Sequence, residues 1–242
     1  VARPDAPGTG LAIEVVDAGK VIDGVTVLDG VTFTAHPGRV TAFLGPNGAG
    51  KSSTLRAILG IDHLDTGHAH IGGKPFRDHA RPLAVAGALL SPDAAHPTRS
   101  ARGHLEVVAV SNGLPRSAVT AVIELVGLGD IVDLPFGQMS LGMRQRLGLA
   151  TALIADPAVV ILDEPHNGLD AAAIRWLRQV LRLLADAGRT VLLSSHLMGE
   201  LEQIADDVVV IDAGRVVASG SLAAFVEGSS LEERYLATVS SA

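Results

Sequence analysis

The chain has 242 residues, 48% of them hydrophobic and none of them cysteine, so it can build one substantial domain, or a domain with a subdomain, without disulfides. The absence of thiols excludes cysteine-ligated metal centres and a disulfide scaffold. A formal net charge of -7 argues against a general nucleic-acid binder, which needs clustered Lys and Arg.

Residues 1–10, VARPDAPGTG, are polar and Pro/Gly-rich; they are expected to form a loose tail and carry no signal pattern. "LAIEVVDA" and "VTVLDGVTFTA" predict two early strands with a turn at "DGV". "RVTAFLG" predicts a buried strand that runs into "GPNGAGKSS", and "STLRAILG" continues as a helix. "GHAHIGGKPF" alternates around Gly-Gly and predicts a short hairpin on which His68 and His70 face the same way; a solvated pair is the better reading of them than a metal site. From about Ala101 to Ala155 the pattern is helical, with apolar stripes in "ARGHLEVVAVSNG" and "SAVTAVIELVGLG" that end near glycine. "PAVVILDEP", "RTVLLSSH" and "DVVVIDAGRVVASG" predict three further strands, with helices "AAAIRWLRQVLRLLADAG" and "LMGELEQIAD" between them. Strands alternating with helices imply an α/β domain with a largely parallel sheet, interrupted by the helical segment. The longest weakly polar stretches, "LAVAGALLSP" and "LGLATALIA", fall short of the ~20 residues of a membrane-spanning helix. The chain is therefore expected to be soluble by itself, while its mean hydropathy of +0.36 leaves apolar surface to spare for a hydrophobic partner.

Chemistry concentrates in four places. Gly45, Pro46, Asn47, Gly48, Ala49, Gly50, Lys51, Ser52 and Ser53 follow a strand and open a helix. In that context glycines let backbone N–H groups converge on phosphate oxygens, Lys51 reaches the β- and γ-phosphates, the Ser52 hydroxyl ligates Mg²⁺, and Ser53 can donate another hydrogen bond. The plain alternative is a glycine turn before a helix. Asp163 and Glu164 end an apolar strand, where ligands sit in parallel sheets: the first is placed to hold Mg²⁺, the second to polarise an attacking water as general base. Alone they would read as loop or capping acids; the cradle favours the catalytic reading. His196 also ends a strand and can bond a γ-phosphate or hold the water, although a lone histidine is more often a surface or core residue. Finally, "MSLGMRQR" opens a helix with Ser140 as cap, a bare Gly142 and two arginines, Arg144 and Arg146: a second anion-binding helix start.

Taken in this order, these segments resemble the ATP-binding subunit of ABC transporters over about residues 11–236. "SLGM" stands where that family carries its signature, Gly168, Leu169 and Asp170 match its D-loop, and His196 matches its switch histidine. The resemblance implies a P-loop NTPase core with a mainly parallel sheet, an N-terminal antiparallel β subdomain and an inserted α-helical subdomain. The corresponding divisions are 11–90 (β subdomain and P-loop core), 91–155 (helical subdomain carrying the signature) and 156–242 (the rest of the ATPase core and a C-terminal helix). It implies ATP and Mg²⁺ as ligands, and hydrolysis of ATP to ADP and phosphate. It also implies a second ATP-binding domain, identical or not, paired head to tail so that Ser140, Leu141, Gly142 and Met143 close on the partner's ATP. That would answer whose phosphate the second helix start serves. The expected partner beyond it is an integral membrane permease subunit docked on the helical subdomain, with no nucleic acid, at the cytoplasmic face of the plasma membrane. The spelling "LSLGMRQRLGLA" is similar to the drug- and antibiotic-export branch.

The chain departs from the family pattern at two positions. Ile22 stands where an aromatic usually stacks on adenine, with Val21 and Val25 nearby, so base preference is expected to relax. Ser91 stands where Gln or Glu usually contacts Mg²⁺; its short side chain would act only through a water, or Asp93 would take part. His166 replaces a commoner Thr or Ala and carries no assigned role. A soluble ABC-type ATPase acting on nucleic acid or ribosomes is the rival reading, but such proteins carry two halves or a long coiled coil, and this chain is acidic. A small-molecule kinase would share the phosphate cradle and leave "SLGM" and "SSH" unexplained.

Overall fold

The computed structural model describes residues 10–93 and 95–240; residues 1–9 of the expected tail lie outside them. The chain opens with β1 (Ile13–Ile22) and β2 (Val25–Ala35), antiparallel through a turn in which Asp23 and Gly24 both have positive φ, at 49° and 79°. That backbone matches the right-handed twist of paired strands. Next come β3 (Val40–Leu44), buried throughout, and α1 (Lys51–Ile58). Then β4 (Thr66–Ile71) returns to β1, giving an antiparallel sheet of order β2-β1-β4. The segment predicted as a hairpin is therefore a third strand followed by a turn. Its alternation serves pairing with β1, and only an isolated bridge from Ile71 to Lys74 closes the Gly72-Gly73 turn.

A four-residue helix, α2 (Pro82–Val85), leads into β5 (Ala86–Leu89), and three helices follow: α3 (Ala101–Ser111), α4 (Arg116–Val126) and α5 (Leu141–Leu153). The chain then alternates through β6 (Val159–Asp163), α6 (Ala171–Asp186) and β7 (Thr190–Ser194) to α7 (Met198–Leu201), a single turn where a longer helix was expected. "DVVVIDAGRVVASG" is two strands rather than one: β8 (Asp207–Asp212) and β9 (Arg215–Ser221) form a hairpin about Ala213 and Gly214, with φ of 45° and 79°. The helices α8 (Leu222–Val226) and α9 (Leu231–Val239) close the described chain.

The larger sheet has the order β5-β6-β7-β3-β8-β9 and is parallel except for β9. A mainly parallel sheet, a small antiparallel sheet and a helical insertion between β5 and β6 are the architecture expected of a P-loop NTPase with these appendages. Strand periodicity explains how one sheet supports two cores. Val40, Ala42, Leu44, Val160, Leu162, Val191 and Leu193 face the helices of the insertion and α6. Phe43, Val159, Ile161 and Leu192 face α1 and the antiparallel sheet, where Phe33 stacks on Phe43 at 5.2 Å between ring centroids. Each buried Val, Leu, Ile or Phe side chain among these contributes about 1.5–3 kcal/mol relative to exposure. Among the described residues no helix is long and apolar enough to cross a membrane.

Strand order also positions the chemistry. In the sequence β6-β7-β3 the carboxyl ends lie side by side, with Asp163 paired to Ser194 and Ser194 to Phe43 across the sheet. Segments far apart in the chain thus leave the sheet at one edge, where ligands bind in open α/β sheets.

Candidate active site

The loop from β3 to α1 owes its path to its glycines. A Cβ on Gly45 would lie 2.3 Å from the Ile211 carbonyl oxygen, and one on Gly50, at φ 104°, would lie 2.9 Å from that of Val27. Only glycine lets the loop pass so close to β2 and β8. Above Gly48 the opposite holds: an added Cβ would meet nothing within 4 Å, so the loop is open on its outer side. Lys51 is buried, and its ammonium donates to the carbonyls of Gly45 (2.6 Å) and Pro46 (3.0 Å) in its own loop. That uses two of three donors and leaves one for an anion. Burial pushes the Lys51 ammonium below its ordinary range, against the opposing pull of the Glu164 and Asp163 carboxylates.

Asp163, the last residue of β6, receives two hydroxyl hydrogen bonds. Ser52 Oγ donates to one carboxylate oxygen at 2.6 Å, and Ser194 Oγ donates to the other at 2.5 Å. Glu164 follows in the left-handed region at φ 47°, a conformation costing a side-chain-bearing residue about 1–3 kcal/mol. Its N–H donates to Ser194, to the carbonyl oxygen at 3.2 Å and to Oγ at 3.0 Å. Its carboxylate accepts from His196 Nδ1 at 2.7 Å, the tautomer a carboxylate acceptor requires. His196 is mostly exposed, whereas Glu164 is about three-quarters covered.

These groups border one hollow of about 380 Å³, lined by Asn47, Gly48, Gly50, Lys51, Ser52, Ser53, Asp163 and Glu164 together with Val27, Leu90, Gln145 and Asn167. The sequence reading missed those last four. Gln145 lies inside "MRQR", where the two arginines carry the visible charge; Ser194 lies inside "SSH", and its register against Asp163 is the signal that marks it. Among the described residues no cluster of three or more His, Asp or Glu stands ready to hold a metal. A Mg²⁺ here would take most of its ligands from phosphate and water, its usual preference, with Ser52 and Asp163 as the protein oxygens.

Other candidates lie elsewhere. Ile22, 41% exposed at the end of β1, is not among the lining residues; Val27 of β2 supplies the aliphatic wall instead. Ser91 accepts from the N–H of Asp93 and lines a separate groove, while the Asp93 carboxylate pairs with Arg144 at 2.9 Å. Arg144 also covers the Phe136 ring, and Arg146 covers Trp176, so neither arginine is aimed at the start of its helix. Ser140 caps α5, accepting from the Met143 N–H at 3.3 Å, while Met143 Sδ accepts from the Ser140 N–H at 3.4 Å. A Cβ on Gly142 would lie 2.8 Å from the Gly168 carbonyl oxygen, and the Leu141 side chain packs against Gly168. Asp170 caps α6 through the Ala173 N–H at 2.7 Å. Leu141 and Gly142 therefore pack against Gly168 and Leu169, and neither Ser140, Leu141, Gly142 and Met143 nor Gly168, Leu169 and Asp170 line the hollow. The His68 and His70 rings lie 4.4 Å apart on β4, tilted by 39°, and neither lines the hollow.

The family profile described as "ABC transporter" matches residues 28–167. The chain is 38% identical over 208 residues to the uncharacterized ABC transporter ATP-binding protein YhcH of Bacillus subtilis, covering 85% of this chain and 68% of that protein. It is 36% identical over 180 residues to the lantibiotic transport ATP-binding protein SrtF of Streptococcus pyogenes, covering 74% and 78%. With the Nod factor export ATP-binding protein I of Burkholderia pseudomallei it shares 38% identity over 201 residues, 81% of this chain and 66% of that one. A solved structure of an ATP-binding subunit of an ABC transporter superposes with a TM-score of 0.85 at 28% identity, covering 93% of this chain and 98% of the other.

Proposed function

Because the chain belongs to the ABC transporter family, as one of its ATP-binding subunits, we propose that it binds and hydrolyses MgATP to drive an exporter. The observation that carries this reading is the convergence of Lys51, Ser52, Asp163 and Glu164 on one hollow, with His196 bonded to Glu164. In it the 45–53 loop and Lys51 grip the phosphates, and Ser52 with Asp163 forms the oxygen pair for Mg²⁺. Glu164 takes the proton of the attacking water, and His196 holds the carboxylate in place and meets the γ-phosphate. A bound Mg²⁺ neutralises charge on the β- and γ-phosphates. The exporter assignment draws on the relatives named for lantibiotic transport and Nod factor export.

A second ATP-binding domain completes the site. Support comes from the signature and D-loop residues, which lie outside this chain's own hollow and so fit a neighbour's nucleotide. Phosphate bridged in this way glues two subunits until hydrolysis removes it. The membrane partner would dock on a mostly apolar groove of about 300 Å³ at the mouth of the helical insertion, bordered by Ile61, Leu90 and Phe136. In this reading the docked chain sits at the cytoplasmic face of the membrane, as its resemblance to ABC transporter ATP-binding subunits implies. A soluble ATPase acting on nucleic acid or ribosomes is not favoured by an acidic chain with these relatives.

The test is Glu164→Gln. It should keep nucleotide affinity within about twofold, lose at least about a hundredfold in turnover, and accumulate a dimer by light scattering at saturating MgATP. A variant that stays monomeric, alone and with its permease, overturns the shared-nucleotide reading.

A further inference from the structure

Gln145 is a buried amide beside the turn that carries Glu164. It sits one turn into α5, 4% exposed, and its Nε2 donates to the main-chain carbonyl of Glu164 at 3.3 Å. The orientation is fixed by chemistry, because a carbonyl acceptor needs the amide's N–H half. The other half, Oε1, is thereby left buried with no hydrogen-bond donor among the described residues. A buried acceptor without a partner lowers stability, and a methionine of similar length would avoid the loss. Such a group calls for an explanation, and a role at the neighbouring site is one.

What the N–H half does is specific. The Glu164 carbonyl also accepts from the Asn167 N–H at 3.2 Å, so one oxygen ties the turn to itself and to α5. On the far side of the same residue, Ser194 holds the Glu164 N–H. Glu164 is thus pinned from both faces in a left-handed conformation that its side chain disfavours. Ser194 belongs to β7, a rigid central strand, whereas Gln145 belongs to the helix that begins with Ser140 and Gly142. We infer that Gln145 is a positioning residue for Glu164: its amide N–H fixes the peptide that aims the general base, and so makes the base's alignment depend on the seating of α5. The inference rests on the assignment of Glu164 as general base, so Glu164→Gln is measured in parallel.

Gln145→Met and Gln145→Glu test it by three readouts: thermal melting, affinity for a fluorescent ATP analogue, and steady-state ATPase kinetics of the full chain. The methionine variant is expected to melt at the wild-type temperature or above and to lose at least about tenfold in kcat, a larger factor than any change in its affinity for the analogue or in KM. The glutamate variant removes the donor and sets a carboxylate against the Glu164 carbonyl, so its kcat should fall as far or further. A merely structural amide would instead lower melting temperature, affinity and turnover together. Wild-type kcat in either variant, or a methionine variant whose loss of kcat tracks a loss of stability, overturns the inference. Turnover surviving in Glu164→Gln would overturn the general-base assignment instead.

Discussion

His166 illustrates how a single side chain can set a limit on the conditions the fold tolerates. The residue is 2% exposed, neither ring nitrogen has a hydrogen-bond partner among the described residues, and burial, aided by the charges of His196 and Arg178, pushes its pKa down to about 4. The ring is therefore neutral when folded and free to take a proton when unfolded. A folded pKa below the unfolded one leaves stability intact above about pH 6.5 and erodes it as pH falls toward 4, by about 3 kcal/mol in all. Urea denaturation of wild type and His166→Phe at pH 7 and near pH 4 should show that share of the acid loss missing in the variant; parallel losses would refute it. A second residue-scale effect concerns the base. Val21, Ile22 and Val25 are exposed at 49%, 41% and 64%, and Val27 lines the hollow, so a purine would meet aliphatic surface with no stacking ring. Losing a stack costs about 1 kcal/mol and removes its preference among bases. GTP should then displace ATP within about fivefold in competition binding, and a strong preference for ATP would contradict this.

At the scale of elements, the start of α5 and the turn after β6 behave as one packed unit, since the backbone of Gly142 faces the Gly168 carbonyl and Leu141 covers Gly168. Gly142→Ala places a Cβ 2.8 Å from that carbonyl, and backbone cannot yield as a flexible side chain does. The expected cost is about 1–3 kcal/mol by urea denaturation. Gly199→Ala, in α7 with open space around it, should be neutral or slightly stabilising and serves as the control. This contact was invisible in the sequence, which supplied both motifs and no hint that they touch. Local patterns were readable because they are local: the 45–53 loop needs its glycines and lysine within one turn, and Asp163 with Glu164 needs only a strand end. Pairing across distance was not. β4 read as half a hairpin because its partner is β1, far earlier in the chain. β8 and β9 read as one strand because the turn residue Ala213 looks nothing like a turn former, although its φ is 45°. Four-residue β5, spelled AGAL, carries too little β-branched or aromatic character to declare itself.

For the molecule as a whole, the question is how a nucleotide can be felt by a partner bound elsewhere. Leu90 borders both the nucleotide hollow and the groove at the mouth of the helical insertion, so one residue is common to the two linings. The groove runs between the end of α1, the exit of β5, α3 and α5, and Ile61, 51% exposed, stands at its edge. An apolar segment of a membrane subunit seated there would sense any shift of Leu90 as phosphate enters or leaves, without touching the nucleotide. Domain closure would carry the change onward through α5, whose first turn rests on the 164–170 turn. Ile61→Asp separates the two sites. A carboxylate at the groove's edge must be desolvated before an apolar partner can bind, which should weaken co-purification with the membrane subunit by at least about tenfold. Ile61 does not border the hollow, so affinity for a fluorescent ATP analogue should stay within about twofold of wild type. A variant that still captures its permease at full strength would move the docking surface elsewhere, and one that loses nucleotide affinity as well would show that the two sites are not separable by this residue.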